Sequence, residues 1–288
     1  MRYIRLFATA LCVMLIYMMK KSDKNSIQTH TAKRWTASET SSVSLSVANE
    51  VPIALEYNCS TYAVMMATPA DLEDFALGFS FSEGLIQQKE DLIGFHINHH
   101  NDAIILEMEL TPERFKRIET HQRKHTVASG CGLCGKDSID EIMRPLSPLK
   151  GGPTISGDVV QKALKALPDL QPLNKICGAL HAAAFVSAEG DILMVREDIG
   201  RHNALDKLIG WLIKNAIDPK SGFVLMTSRC SYELVHKAIH AGITFLATIS
   251  APSAMAITLA QKANLTVLAL VRDDAMQIYT DTAKRFKE

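Results

Sequence analysis

The sequence predicts an α/β protein in which a three-layer sheet is preceded by a smaller N-terminal α+β subdomain. Short apolar runs at 182–188, 192–196, 223–227, 243–249 and 265–271 read as strands, and stretches of helical apolar spacing at 202–215, 231–241 and 253–263 separate the later ones. Strands this short, joined by helices of ten or more residues, call for parallel pairing with helices on both faces of the sheet. The earlier part differs: two strand-like runs meet across Asn58-Cys59-Ser60, and one amphipathic helix comes after them.

From the N-terminus, residues 6–19 (LFATALCVMLIYMM) are an apolar run between Arg2 and Arg5 on one side and Lys20, Lys21 and Lys24 on the other. This resembles the basic and hydrophobic parts of a signal peptide but lacks a small-x-small cleavage site. It is also short for a helix that must cross about 30 Å of hydrocarbon. A targeting or anchor segment, an ordinary appendage, and a true start near Met19 all fit these residues. Residues 20–45 are Ser/Thr/Lys-rich with no sustained period and read as a linker, so 1–45 divides into a hydrophobic segment and a polar linker.

Residues 46–120 form the α+β subdomain. Strands are expected at 52–57 and 61–67, and then a helix with Thr68 as N-cap, Pro69 in its first turn and Asp71 where a capping box wants an acid. Leu72, Phe75, Ala76 and Phe79 line one face of it, Gly84 is a natural stop, and 104–110 reads as another strand before a helix at Thr111-Pro112. The stretch 121–137 is rich in Gly and basic groups and reads as a mobile loop. Residues 138–288 make the α/β domain, opening with a short helix from Ser138 and, after the Pro and Gly residues at 145–153, a helix at 157–167.

Composition narrows the function. The chain has 288 residues, 31 Lys+Arg against 31 Asp+Glu, and 47% hydrophobic residues, which excludes disorder as its main character and argues against a general nucleic-acid binder. Six Cys are too sparse for a disulfide-built scaffold, and only Cys131 and Cys134 are closely spaced, so a reducing compartment is expected.

In open α/β sheets ligands bind beyond the carboxyl ends of the strands. The residues just past the predicted strands are Glu197, Asp198, Arg201 and His202; then Ser228 and Arg229; then Ser250 and Ser253; then Arg272, Asp273 and Asp274. Arginines at neighbouring strand ends suit phosphates, and helices starting near Ser231 and Ser253 direct backbone N–H groups to the same side. Singly, each of these residues also reads as a helix cap or a surface ion pair; four clusters on one edge favour a site. His181 reads equally well as a buried structural histidine or a ligand contact. No dinucleotide fingerprint or phosphate-binding P-loop is present.

Cys131-Gly-Leu-Cys134-Gly supports three chemistries: half of a metal site, completed by His121 and His125; a dithiol redox pair; or a nucleophilic cysteine with a neighbour. Lys124, His125 and Lys136 add positive potential that favours a thiolate, which suits a nucleophile.

Several strings together carry a resemblance: Ala63-Val-Met-Met-Ala-Thr-Pro-Ala-Asp-Leu-Glu-Asp-Phe-Ala-Leu-Gly-Phe79, the CxxC pentapeptide, His181-Ala-Ala-Ala, Arg196-Glu-Asp-Ile-Gly-Arg-His-Asn203, Thr227-Ser-Arg229 and Ile249-Ser-Ala-Pro252. In this order, over about 50–281, they resemble the formate dehydrogenase accessory sulfurtransferase family, FdhD. The resemblance implies a cytidine-deaminase-like fold and a cytoplasmic sulfurtransferase. It would accept sulfur from a cysteine desulfurase as a persulfide and pass it to the bis(molybdopterin guanine dinucleotide) molybdenum cofactor before insertion into formate dehydrogenase. It further implies Cys131 as the persulfide carrier with Cys134 as its partner, a homodimer, no resident metal, and a cofactor-binding segment at Leu270, Val271, Arg272, Asp273, Asp274 and Ala275. Here Ala269-Leu270 replaces the family's usual Gly-Phe, so aromatic stacking is lost, and Cys230 stands where Ala is usual and is expected to be a buried bystander. A non-catalytic cofactor chaperone is the alternative. A zinc deaminase is disfavoured, because no His begins an H-x-E and Gly130 precedes Cys131 where Pro is required.

Overall fold

A computed structural model describes residues 26–116 and 146–288. The apolar run at 6–19, the loop bearing Cys131 and Cys134, and the helix expected from Ser138 lie outside the described residues.

Strands β1 (Ile27–Trp35) and β2 (Thr40–Ala48) pair antiparallel as a two-stranded ribbon, which corrects the reading of 20–45 as a linker. Val43, Leu45 and Val47 do alternate, but Ser and Thr fill the positions between them, and that composition is also the composition of a loop. A four-stranded sheet comes next, from β3 (Val51–Tyr57), β4 (Ser60–Ala67), β5 (Leu92–His100) and β6 (Ala103–Leu110), in the order β4-β3-β6-β5 with β3 parallel to β6. Asn58 and Cys59, both at positive φ, make the tight turn between β3 and β4.

Helix α1 (Leu72–Ser82) covers the inner face of this sheet, packing Phe75, Ala76 and Phe79 on Ile53, Leu55 and Leu106. It begins three residues later than the capping signals predict, with Asp71 in the left-handed region at its N-cap. Thr68 does not cap this helix because its groups are engaged elsewhere: its N–H donates to Asp198 Oδ2 at 3.0 Å, and its hydroxyl oxygen accepts from the Ile199 N–H at 3.2 Å.

The remaining elements are β7 (Ile155–Ser156), α2 (Gly157–Ala166), α3 (Pro172–Cys177), β8 (His181–Ser187), β9 (Ile192–Asp198), α4 (Arg201–Lys214), β10 (Gly222–Met226), α5 (Tyr232–His240), β11 (Phe245–Thr248), α6 (Ala254–Lys262), β12 (Thr266–Ala269), β13 (Gln277–Thr280) and β14 (Phe286–Lys287). Six of these strands form one sheet in the order β13-β12-β11-β10-β8-β9. β10, β11 and β12 run parallel and are buried throughout, as strands covered on both faces must be. β8 runs antiparallel to both β9 and β10, and β13 antiparallel to β12, so the sheet is mixed rather than parallel. The tight turn at Gly190 joining β8 to β9 is too short for a crossover. Helices α4, α5 and α6 pack one face of the sheet through Leu205, Leu234 and Ala260, and α2 packs the other through Val160 and Ala163.

Helix α4 is buried on two sides, against the six-stranded sheet and against α1. The α1 contact is set by two glycines. A Cβ on Gly78 would lie 1.7 Å from the Asp206 carbonyl oxygen, and one on Gly210 would lie 1.8 Å from that of Asp74. The backbones therefore touch directly, which no residue with a side chain allows. Gly78→Ala or Gly210→Ala is expected to lower the unfolding free energy by about 3 kcal/mol or more, since the obstacle is backbone on both sides. Gly84→Ala, with open space around it and only its positive φ to strain, should cost about 1–2 kcal/mol. Urea unfolding of the three variants checks this ordering.

Candidate functional site

Reversal of β8 brings its first residue to the edge where β9 to β12 end. His181 lies in register with Asp198, Thr227 to Arg229 leave β10, Ile249 and Ser250 leave β11, and Leu270 to Ala275 leave β12. Main-chain bonds join these ends into a continuous ledge: Thr227 N–H to Ala182 O (3.1 Å), Ser250 N–H to Ser228 O (3.3 Å) and Val271 N–H to Thr248 O (3.2 Å). The Thr227 hydroxyl oxygen accepts from the Ala182 N–H at 2.8 Å, locking the start of β8 to the end of β10.

The structure brings together His181, Arg201, His202, Ser228 and Arg229. Arg201 opens α4, and its Nε is buried without a hydrogen-bond partner among the described residues. His202 is buried, with Nε2 3.4 Å from the Ser231 hydroxyl and 3.7 Å from a Glu233 carboxylate oxygen. Burial, then the Arg201 and Lys237 charges, lower its pKa to about 4 against the opposing pull of Glu233, so the ring is neutral at pH 7. Burial also lowers the His181 pKa, helped by Arg201 and Arg229. Two neutral imidazoles thus stand beside two guanidiniums. The N-termini of α4 and α5 face the same edge, and the α5 N-cap residue Ser231 makes no side-chain capping bond. Such an arrangement is suited to holding an anion.

Asp198 does not face a ligand as the sequence reading expects. It is fully buried; Oδ2 accepts from Thr68 and pairs with Lys207 Nζ at 2.7 Å, while Oδ1 accepts from the Gly200 N–H at 2.8 Å and from Asn203 Nδ2 at 3.0 Å. A carboxylate with all these partners positions the Gly200–His202 turn. Glu197 likewise turns away, accepting from the Leu173 and Asn174 N–H groups that open α3 (3.0 and 2.8 Å).

The second group, Leu270 to Ala275, forms a tight turn beside Ser250. Leu270 adopts a left-handed conformation (φ 53°), and the Arg272 N–H closes the turn on Ala275 O at 2.8 Å. The Arg272 guanidinium bonds the carbonyls of Ile249 and Val271, while Asp273, Asp274 and Ala275 are exposed. Val271 is a correction: its side chain is fully buried in the core, so only its backbone is available to a ligand. Cys131 and Cys134 lie outside the described residues. Cys230 is 1% exposed, and burial pushes its thiol up to about 12, as an inert core residue requires.

Sequence reasoning missed Lys207 and Thr68 as parts of this site. Lys207 Nζ, fully buried, also donates to Thr68 O at 2.9 Å and Glu197 O at 3.3 Å, so it ties the start of α1 to the end of β9. Its signal was the adjacent Asp206-Lys207 pair amid apolar residues, which hydropathy reads as solvent-facing. A cleft of about 510 Å3 lies elsewhere, lined by Leu72, Ile97, Met194, Trp211 and Lys214, with Arg196 on its wall. The Arg196 guanidinium is engaged by Asp74 at 2.6 Å, whereas Arg201 on the strand-end ledge keeps its buried Nε without a partner among the described residues.

Residues 48–286, which include the whole ledge and both CxxC cysteines, match the family model described as the FdhD/NarQ family. The chain belongs to that family. Among its FdhD relatives, the sulfur carrier protein FdhD of Variovorax paradoxus is 44% identical over 234 residues, 81% of this chain and 84% of that one. That of Cupriavidus necator is 44% identical over 251 residues, 87% of each. A crystal structure assigned to a formate dehydrogenase accessory protein from Desulfotalea psychrophila superposes with a TM-score of 0.72 at 20% identity, covering 91% of this chain and 99% of that one, which shows a shared fold. Among the described residues of this FdhD/NarQ chain, no helix is long and apolar enough to cross a membrane.

The buried charges of the ledge have two measurable effects. Lys207→Met leaves the Asp198 carboxylate buried and unpaired, which should cost about 3–5 kcal/mol in urea unfolding. His202 titrates at about 4 in the folded chain against about 6.5 when free, so between those values the unfolded state binds more protons. Stability should therefore fall as pH drops from about 6.5 toward 4, and unfolding of His202→Gln measured across that range should lack this part of the slope.

Proposed function

We propose that this chain is a sulfur carrier serving formate dehydrogenase: it accepts sulfur from a cysteine desulfurase and delivers it to the bis(molybdopterin guanine dinucleotide) molybdenum cofactor before the cofactor enters the enzyme. The observation that carries this reading is membership of the FdhD/NarQ family with Cys131-Gly-Leu-Cys134 inside the matched span, together with relatives named sulfur carrier protein. The order of the sheet, in which the first strand, β8, lies reversed between β9 and β10, supports a cytidine-deaminase-like assignment.

In the first step the Cys131 thiolate attacks the outer sulfur of the donor persulfide. One S–S bond forms as the other breaks, and the donor leaves as a thiolate, so the sulfur now rides on Cys131. Lys124, His125 and Lys136 favour the attacking thiolate. The acceptor cofactor is the substrate, and its guanine nucleotide arms carry pyrophosphates. Arg201, Arg229 and the N-termini of α4 and α5 supply cationic and N–H donors to those phosphates, and His181, His202, Ser228 and Ser250 surround them with neutral polar groups. Asp198 and Lys207 keep this array in place, and the Leu270 to Ala275 turn offers backbone groups beside it. On this reading the protein works in the cytoplasm as a homodimer.

Intact mass spectrometry after incubation with a cysteine desulfurase and free cysteine tests the first step. Wild type should gain one reducible sulfur atom and Cys131→Ala none, while Cys230→Ala should behave as wild type. If Cys131→Ala still supports maturation of formate dehydrogenase, the protein is a cofactor chaperone rather than a sulfur carrier. Guanosine diphosphate probes the ledge: Arg201→Gln should weaken its binding by about ten- to a hundredfold, the loss of one charge-assisted hydrogen bond.

A further inference from the structure

The β1–β2 ribbon is anchored at its base, where Ile27 and Ala48 pack with Ala70, Leu173 and Leu180. Beyond the base it stands in solvent, with Trp35 77% and Leu45 42% exposed. A two-stranded hairpin alone is marginally stable in water, so nine-residue strands carrying an apolar stripe call for a cover. In the strand register that stripe is Ala32 opposite Val43, then Leu45 and Val47. Arg34 and His30 share the face of this stripe, Lys33 lies on the opposite face, and neither strand carries an acidic residue.

A second surface of the same chain is its complement. The outer face of the four-stranded sheet, opposite α1, has Glu56 directly beside Glu107 across β3 and β6, with His96 next in the row. The adjoining row is Ile105, Ala54 and Val64, and the next holds Pro52 and Met66. Val64 and Met66 are 47% and 50% exposed. Two carboxylates on paired positions repel one another, and a cation laid across them removes that repulsion.

We infer that two copies of this chain pair reciprocally, the β1–β2 ribbon of each lying across the outer face of the other's four-stranded sheet. The apolar stripe meets Val64, Ile105 and Met66, and Arg34, on the stripe's own face of the ribbon, lies across Glu56 and Glu107. A ribbon of nine-residue strands is about 30 Å long and about 10 Å wide. Counting both partners of both contacts, the pair buries about 1,200 Å2, at the lower bound of stable interfaces. The inference rests on the dimeric reading given above and specifies its interface.

Sedimentation velocity of the full chain at micromolar concentration tests it. Wild type should run at twice the 31.7 kDa chain mass. Arg34→Glu, and separately Glu56→Lys with Glu107→Lys, should each raise the dimer dissociation constant at least tenfold. The variant carrying all three reversals should recover the dimer, because the complementarity is restored with its signs exchanged. Circular dichroism checks that each variant folds. A monomeric wild type overturns both the dimeric reading and this interface. A dimer indifferent to reversal on either side, or one not recovered in the triple variant, overturns the interface alone.

Discussion

The backbone contact between Gly78 on α1 and Gly210 on α4 is the constraint on which the rest of the architecture depends. It brings a helix from the four-stranded sheet against a helix from the six-stranded sheet with no side chain between them, so the two sheets, each with its own core, are joined through this helix pair. Close approach of the axes is also what lets Thr68, just before α1, reach Asp198, at the end of β9. Lys237 of α5 spans the same junction, pairing with Asp206 of α4 at 2.7 Å and with Glu83 at the end of α1 at 3.6 Å. Buried ion pairs add little stability by themselves, but misplacing one of their partners is costly, so they penalise any other docking of the two helices.

The ledge takes its electrostatic character from this arrangement. Lys207 is drawn inward and neutralises Asp198, so that carboxylate does not offset the charges of Arg201 and Arg229. Burial keeps His181 and His202 uncharged, so they add hydrogen-bonding capacity without repelling the guanidiniums. Positive charge is therefore concentrated at one stretch of the edge, in a chain whose formal charges balance overall. The acidic pair at Asp273 and Asp274 confines it further, because with Arg272 it leaves the Leu270 to Ala275 turn one negative charge in excess.

The strands β10, β11 and β12 were legible because burial on both faces leaves unbroken apolar runs, and the helices between them because each keeps a polar side. The direction of β8 was not legible from periodicity, since pairing direction depends on the length of the Gly190 turn. The β1–β2 ribbon escaped because it is a sheet made largely of Ser and Thr. In the site, Arg201, His202, Ser228 and Arg229 were found because they stand just past the carboxyl ends of predicted strands, and His181 because it opens one. The same rule mistook Asp198 and Glu197 for ligand contacts, because it cannot tell a side chain that points outward from one that turns into the core; Val271 came with the cofactor segment that the resemblance implies, which carries no information on burial either. Lys207 was hidden for the complementary reason: a lysine in a helix reads as solvent-facing unless its buried partner is known.

The bond from Lys207 to Thr68 spans 139 residues of chain. When the four-stranded sheet and α1 leave the ribosome, the face of α1 that carries Gly78 is bare, the groups of Thr68 lack their partners, and the helix that completes them has not been synthesised. The N-terminal sheet must therefore wait, with apolar and polar surface both uncovered, until α4 arrives. Synthesis of the intervening segment sets the interval over which the nascent chain is most open to chaperones, proteases and other nascent chains.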